Sequence, residues 1–284
     1  MFPDFLPMDT TKSFWFNEDC FGDHPQHYIR IFLHQNYQIG MHAHEFVEVN
    51  LVVGGSGVHY IENRHMPVSA GDVFVIPSGI LHGYISLENL DVYHLLIKSD
   101  FFMRYHVELE NVPGFHMLFD IAPSLRRSTG KGFFLRLEYA ELQTIRQELE
   151  ALEKFEADKI FVYENIQVLS LLGRLSVSMN RRLNVASSSH GISLELLRVM
   201  EYIQNHLDLK FSLDSLAALG NMSRSSLNRH FQQVLHLSPA AYIIRLRTAK
   251  ARRLIAENRF SKAEIAQMCG FYDSSHMDKS LKSH

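Results

Sequence analysis

Three histidines and one glutamate carry the first chemistry legible in this chain. His42, His44 and Glu48 fall within Gly40-Met-His42-Ala-His44-Glu-Phe-Val-Glu48, and His82 closes a later run, Gly71-DVFVI-Pro77-Ser-Gly79-Ile-Leu-His82. Successive side chains of a β-strand point to opposite faces, so His42, His44, Phe46, Glu48 and Asn50 share one side while Val47, Val49, Leu51 and Val53 share the other. One face is plain core and the other is chemically loaded. Imidazoles and carboxylates are ligand types for Mn, Fe, Ni or Zn. The same side chains also suit the hydrogen-bonded wall of a sugar pocket, to which Arg30, Tyr60, Tyr84 and His94 would add polar groups. A metal at these four residues would equally support dioxygenase or isomerase chemistry, so an enzyme stands as the rival class.

The elements that must position these residues read as short strands. YIRIFLH, HEFVEVNLVV, VHYIE, GDVFVIP and DVYHLLI follow one another between Tyr28 and Ile97, punctuated by Gly, Pro, Asn and Asp. Strands without intervening helices form a barrel or a sandwich. Residues 99–135 are mixed and read as short helices and loops capping the barrel. From Leu135 the periodicity turns helical. Leu135, Leu142, Ile145, Leu149, Leu152 and Phe155 form one apolar stripe, and Ile160, Tyr163, Ile166, Leu169 and Leu172 form a second. Such a hairpin packs on its own barrel or pairs with a second copy, and a homodimer is expected. The Ser-rich stretch RLNVASSSHGI then marks a boundary, dividing the chain into residues 1–182, a linker 183–192, and residues 193–284.

Charge divides at the same place. Residues 1–192 hold 15 Lys and Arg against 23 Asp and Glu, a net of −8, whereas residues 193–284 hold 13 against 8, a net of +5. The C-terminal part is the one suited to a polyanion. Its grammar is helical and repeated. Ser193 caps a helix, Ser212 a second, and Ser223 a polar third, SRSSLNRHFQQV, in which Leu227 and Phe231 share one face. Ser238-Pro239 starts a long helix carrying Arg245, Arg247, Lys250, Arg252 and Arg253. Ser261 and Glu264 form a capping box, and Asp273 caps a second polar helix. Helix, turn and polar helix, twice over, is helix-turn-helix. Of 284 residues 46% are apolar, which is globular. MFPDFLPMD has no basic, then apolar, signal pattern, and VLSLLGRLSVSM is broken by Arg174 and shorter than the ~20 residues a bilayer needs, so no membrane partner is expected. Cys20 and Cys269 form no disulfide framework, which fits a reducing cytoplasm.

Two resemblances sharpen this reading. The Gly40–Glu48 run with Gly54, and the Gly71–His82 run, resemble the two signature motifs of the cupin superfamily, though the Asn sometimes found after the second motif is Ser86 here. The resemblance implies that His42, His44, Glu48 and His82 stand where metal-binding cupins hold a divalent ion. AYIIRLRTAKARRLIAE and AEIAQMCGFYDSSHM resemble the C-terminal domain of the arabinose-operon regulator (AraC) family of bacterial transcription factors. That implies two reader helices in successive major grooves of double-stranded promoter DNA, about 34 Å apart. By position, Arg224, Ser225, Asn228 and Arg229 would contact DNA in the first unit and Ser275, His276 and Lys279 in the second. Arg229 suits guanine and Asn228 adenine. The family's Gly-x-Thr-Pro segment and closing helix do not follow, and Met277 and Asp278 stand for a usual aromatic and small polar residue. The second unit is therefore expected to bind weakly, and a truncated partner that hetero-dimerises is a further alternative. The expected protein is α+β and two-domain, a cupin-like β-barrel with a helical hairpin followed by an all-α double helix-turn-helix. It is a non-enzymatic, ligand-responsive regulator that senses a sugar or similar molecule, and an activator would also meet RNA polymerase.

Overall fold

The computed structural model describes residues 14–22, 24, 26–129, 135–185 and 193–283. Beyond residue 185 the expected linker lies outside the described residues. The N-terminal part is β1 (Phe14–Trp15), α1 (Asn17–Cys20), β2 (Ile29–His34), β3 (Ile39–His44), β4 (Val47–Ile61), β5 (Arg64–Ser69), β6 (Asp72–Ile76) and β7 (His82–Ile97). Two of the expected strands, HEFVEVNLVV and VHYIE, are one long strand, β4, and DVYHLLI is only the second half of β7. β4 and β7 pair antiparallel along their whole length, from Val47↔Ile97 to Ile61↔His82, with register shifts between Val52 and Gly57. The shifts act as bulges, which bend and twist a ladder. On one side of the bend lies the order β6-β4-β7-β2, and on the other β5-β4-β7-β3 with β1 at its edge. The bend folds the sheet onto itself. Gly55 makes the corner at φ +68°, and a Cβ there would sit 2.0 Å from the carbonyl oxygen of Glu88, so no other residue fits.

Alternation then sorts two cores. Phe32, Phe46, Val52, Phe74, Ile76 and Tyr84 fill the inside of the folded sheet with Trp15 and Tyr37. Val49, Leu51, Val53, Val73 and Leu95 face outward, under helices. Those helices are α2 (Ser99–Glu110), a π-helical turn (Met117–Ile121) running into α3 (Ala122–Thr129), then, after β8 (Leu135–Arg136), α4 (Tyr139–Ala157) and α5 (Phe161–Val185). The α4 stripe, Leu142 to Leu152, is buried on the sheet. The α5 stripe divides, because Leu172 is buried with Val168, Leu171 and Leu175, whereas Ile160, Val162, Tyr163 and Ile166 stay exposed.

The C-terminal part is α6 (Leu194–Asn205), α7 (Leu213–Leu219), α8 (Arg224–Leu235), α9 (Pro239–Glu257), α10 (Lys262–Met268) and α11 (Ser274–Ser283). Each start expected from a serine is made by that serine. The hydroxyls of Ser193, Ser212, Ser223, Ser238 and Ser261 accept from backbone N–H groups three residues on. The first unit shares one continuous apolar core with the sensor helices, while Leu254, Ile265, Cys269, Phe271 and Met277 form a separate core for the second. Segment 99–129 therefore does more than cap the barrel, since α3 packs on α8 and the π-helical turn packs on α6.

Candidate ligand site and nucleic-acid interface

Inside the folded sheet, Glu48 is the hub of an imidazole cluster. Its Oε2 lies 3.2 Å from His44 Nε2 and 3.1 Å from His82 Nε2, and its Oε1 accepts from His94 Nδ1 at 2.7 Å. All four side chains are at most 4% exposed. Burial pushes the Glu48 carboxyl up, but contacts with His44, His82 and His94 outweigh it and hold the group well below the usual carboxylate range. A buried anion results. His42 lies in tilted ring contact with Trp15 at 4.7 Å and with His82 at 4.2 Å, and burial brings its pKa down to about 4.

The tautomers decide what the cluster can hold. His42, His44 and His82 each place Nδ1 2.7–2.9 Å from a backbone carbonyl, those of Gly40, Phe46 and Ile80, so Nδ1–H is committed there. In a neutral ring the remaining Nε2 is a bare lone pair, and in His44 and His82 it faces a carboxylate oxygen. Two arrangements satisfy that geometry, a second proton on the rings or a cation between them and Glu48. Donor atoms of His42, Glu48 and His82 lie within 4.8 Å of one another, an N₂O set suited to Mn, Fe, Ni or Zn, with His44 adjoining through Glu48. The residues present fit a divalent ion.

Around this hub are polar groups that sequence reading passed over. His34 joins the ring stack with Tyr37 and His94, and His59 stacks on Tyr84 at 4.4 Å, whose hydroxyl accepts from Asn50 Nδ2 at 3.0 Å. Burial lowers the His34 pKa to about 4 and takes that of His59 well below 6.5. His34 Nδ1, both nitrogens of His59, His94 Nε2 and Asn50 Oδ1 are buried and make no hydrogen bond. Such a concentration of unsatisfied buried atoms calls for a polar occupant. Arg126 enters from α3, fully buried, donating to the carbonyl of Val75 with its guanidinium 5.7 Å from the Phe74 ring. Desolvation lowers its pKa to about 10.

Of the expected pocket residues, His42, His44, Glu48, His82, Tyr84 and His94 converge, and two do not. Tyr60 is a correction. The register shifts after Val52 change the phase of β4, so odd-numbered His59 and Ile61 face in, while Tyr60 faces out beside His65. Arg30 shares the inner face of β2 with Phe32 and His34, but its Nη1 donates to the carbonyl of Cys20 at the rim. The signal for His34 was present in the alternation Arg30, Phe32, His34.

In the C-terminal domain the expected reader residues are all presented outward. Leu227, Phe231 and Val234 hold α8 to its core, leaving Arg224, Ser225, Asn228 and Arg229 exposed. Arg224 is engaged by both oxygens of Asp214 on α7, so a phosphate must displace that carboxylate to use it. Asp273 Oδ1 accepts from His276 N at 2.7 Å to cap α11, whose Ser275, His276 and Lys279 are exposed. Met277 is fully buried in the second core, and Asp278 is paired with Lys262 Nζ at 3.0 Å. The expected repulsion at Asp278 is thus partly neutralised. Arg245 and Arg252 of α9 are exposed, whereas Arg247 is buried and Lys250 and Arg253 are half-buried. Arg247 donates to the carbonyls of Leu207 and Leu209, Arg252 donates to that of Leu281, and Lys250 and Arg253 lie 3.9 and 3.7 Å from Glu110 of α2.

A sensor domain with a sealed polar hub and a pair of capped helix-turn-helix units define a ligand-responsive, DNA-binding transcription regulator. Residues 25–137 match the AraC-like ligand binding domain and residues 216–284 match a helix-turn-helix domain. The chain is 27% identical over 236 residues to the HTH-type transcriptional activator RhaS of Escherichia fergusonii, covering 83% of this chain and 80% of that one. It is 26% identical over 240 residues to the activator of the same name from Enterobacter sp. (strain 638), with the same coverage. Among solved structures, ToxT from Vibrio cholerae O395 aligns over 90% of this chain and 93% of its own at 12% identity and a TM-score of 0.33. The DNA-binding domain of AdpA in complex with a target DNA covers 32% of this chain and 81% of its own at 28% identity and a TM-score of 0.31. The chain belongs to the AraC family of transcription regulators.

Proposed function

We propose that this regulator works as a cytoplasmic homodimer that reads promoter DNA through α8 and α11 and responds to a polyhydroxylated small molecule, a sugar or its like, held in the β domain. The observation that carries the DNA reading is the pair of capped helices whose outward faces hold Arg224, Ser225, Asn228 and Arg229, and Ser275, His276 and Lys279. Asn and Arg side chains free of the core suit adenine and guanine edges, and the hydroxyls suit phosphate. The buried unsatisfied atoms of His34, Asn50, His59 and His94 support a ligand rich in hydroxyl groups, each of which both donates and accepts. His42, Glu48 and His82, with His44 beside them, would hold a divalent ion that fixes such a ligand by Lewis-acid contact. The sealed hub, with no side chain more than 4% exposed, supports binding rather than turnover.

The exposed apolar start of α5, with Val162 at 56% and Ile166 at 55%, supports pairing with a second copy, since a surface of this kind rarely stays in water. Among the described residues no helix is long and apolar enough to cross a membrane. In the activator reading, RNA polymerase is the further partner. Ligand binding acts by population shift, favouring one arrangement of the two readers. The test is selection of duplexes from a random pool by the full-length chain at low salt, where phosphate contacts are strongest. Expected are sites with two elements one helical turn apart, and a loss of roughly tenfold or more for Arg229→Ala, the value of one good base contact. Retention of no duplex would end the reading.

A further inference from the structure

β8 pairs with β6 only at Asp72 and Val73, so among the described residues that side of the strand has no partner strand beyond Val73. In the remaining stretch the Val75 carbonyl accepts from a helix side chain. The donor is Nη2–H of Arg126 in α3, fully buried, with its guanidinium 5.7 Å from the centroid of the Phe74 ring. Phe74 belongs to the inner core of the folded sheet and Val75 to the outer one under the helices, so the guanidinium stands where the two cores meet. Its charge reaches the hub chamber, since burial, then His82, then Arg126 lower the His59 pKa. The contact has a hub side and a reader side. In β4, Glu48 is the cross-strand partner of Ile76, the residue after Val75. On the other side α3 packs on α8. Side chains one apart on a helix do not face each other, and Leu125 accordingly joins the core of Leu227, Phe231 and Val234 while Arg126 turns to β6.

Resting on the reading of the hub as a divalent-ion site, we propose that Arg126 is the positioning residue through which occupancy of the hub is passed to α8, and so to DNA. An ion held by His42, Glu48 and His82 fixes the Glu48 carboxylate, and with it the end of β6 to which Arg126 bonds. α3 is then held in one place, and the population shifts towards the arrangement in which α8 packs on it. Contiguous contact alone is not coupling, which is a free energy shared between two sites and measured as such.

Zinc is the probe, added to the full-length chain with EDTA as the reference. Two readouts separate the two ends. Trp15 fluorescence follows zinc entering the hub beside His42, and amide hydrogen exchange over residues 224–235 follows α8. In the wild type saturating zinc should slow exchange in α8 about fivefold or more, the low end of ordinary coupling between sites. Arg126→Met should bind zinc with unchanged affinity and lose that slowing. Arg126→Lys, which keeps the charge but not the planar fork over Phe74, should keep only part of it. A purely structural Arg126 would lower the urea midpoint of Arg126→Met and leave the effect of zinc on α8 in place. Arg126→Lys removes the least packing and so reads the role even where Arg126→Met folds poorly. Zinc that moves Trp15 but not α8 overturns the proposal, as does equal slowing of α8 in the wild type and in either variant. Zinc that leaves Trp15 unmoved overturns the hub reading, and with it a residue that would have no signal to pass.

Discussion

Replacing Glu48 with glutamine tests the tautomer argument directly. In the metal-free protein the carboxylate faces His44 Nε2 at 3.2 Å and His82 Nε2 at 3.1 Å, both on rings whose Nδ1–H is committed to a carbonyl. A glutamine NH₂ would donate to both lone pairs, and its oxygen would still accept from His94 Nδ1. In EDTA, Glu48→Gln should therefore be at least as stable as the wild type, within about 1 kcal/mol, since an isosteric neutral group replaces a buried charge without orphaning its neighbours. Zinc should separate the two proteins. At a hundred times its Kd it stabilises the wild type by about 2.7 kcal/mol, whereas Glu48→Gln, lacking the anionic donor, should gain little. The chain has a single tryptophan, and Trp15 lies against the His42 ring at 4.7 Å, so its fluorescence during urea unfolding reports on this domain. A loss of 3–5 kcal/mol for Glu48→Gln in EDTA would refute the reasoning, because that is the cost of leaving buried imidazolium rings without their anion. An unmoved wild-type midpoint in zinc would remove the metal.

Further outcomes follow from burial and exposure. His34 and His42 titrate near 4 when folded and about 6.5 when unfolded, so protons bind the unfolded chain first and stability is lost as pH falls from about 6.5 towards 4. At roughly 1.4 kcal/mol per pH unit for each ring below pH 6.5, the Trp15 transition in EDTA should lose about 4 kcal/mol between pH 7 and 5, and a flat profile would contradict the buried neutral rings. Phe231 is fully buried and packs edge-on to Tyr242 at 5.5 Å. Phe231→Ala should cost the C-terminal domain about 3–5 kcal/mol and abolish duplex binding while shifting the Trp15 transition far less; equal shifts in both domains would show that they unfold as one unit. Ile166 is 55% exposed on α5. Ile166→Glu should convert a dimer to a monomer in sedimentation velocity with the melt unchanged, and an undisturbed dimer would locate the contact elsewhere.

The hub was legible in residue type and spacing as far as local geometry carries. Parity placed His42, His44, Glu48 and Asn50 on one face because strand alternation is local, and they are all inside. It does not carry through to Tyr60, because the bulges between Val52 and Gly57 depend on how β4 and β7 cross the bend, a matter of long-range pairing. Arg126 gave no local signal. Its burial follows from α3 lying over β6, some fifty positions away in sequence.

The sequence by itself determined the reader domain's elements, since five helix starts are serines whose hydroxyls bond three residues on, the last is capped in the same way by Asp273, and each reader face is what remains when Leu227, Phe231 and Met277 turn inward. It determined also which side of the early strands is polar. Only the tertiary structure decided how those groups are spent. Arg247, Lys250 and Arg253 count towards a net charge suited to DNA, yet Arg247 is spent on the carbonyl of Leu207 after α6, and Lys250 and Arg253 are turned towards Glu110 of the sensor, 3.9 and 3.7 Å away. The same docking made a cavity whose two walls are more than a hundred residues apart in the chain, because burial of apolar surface is indifferent to sequence separation while caps and alternation are not.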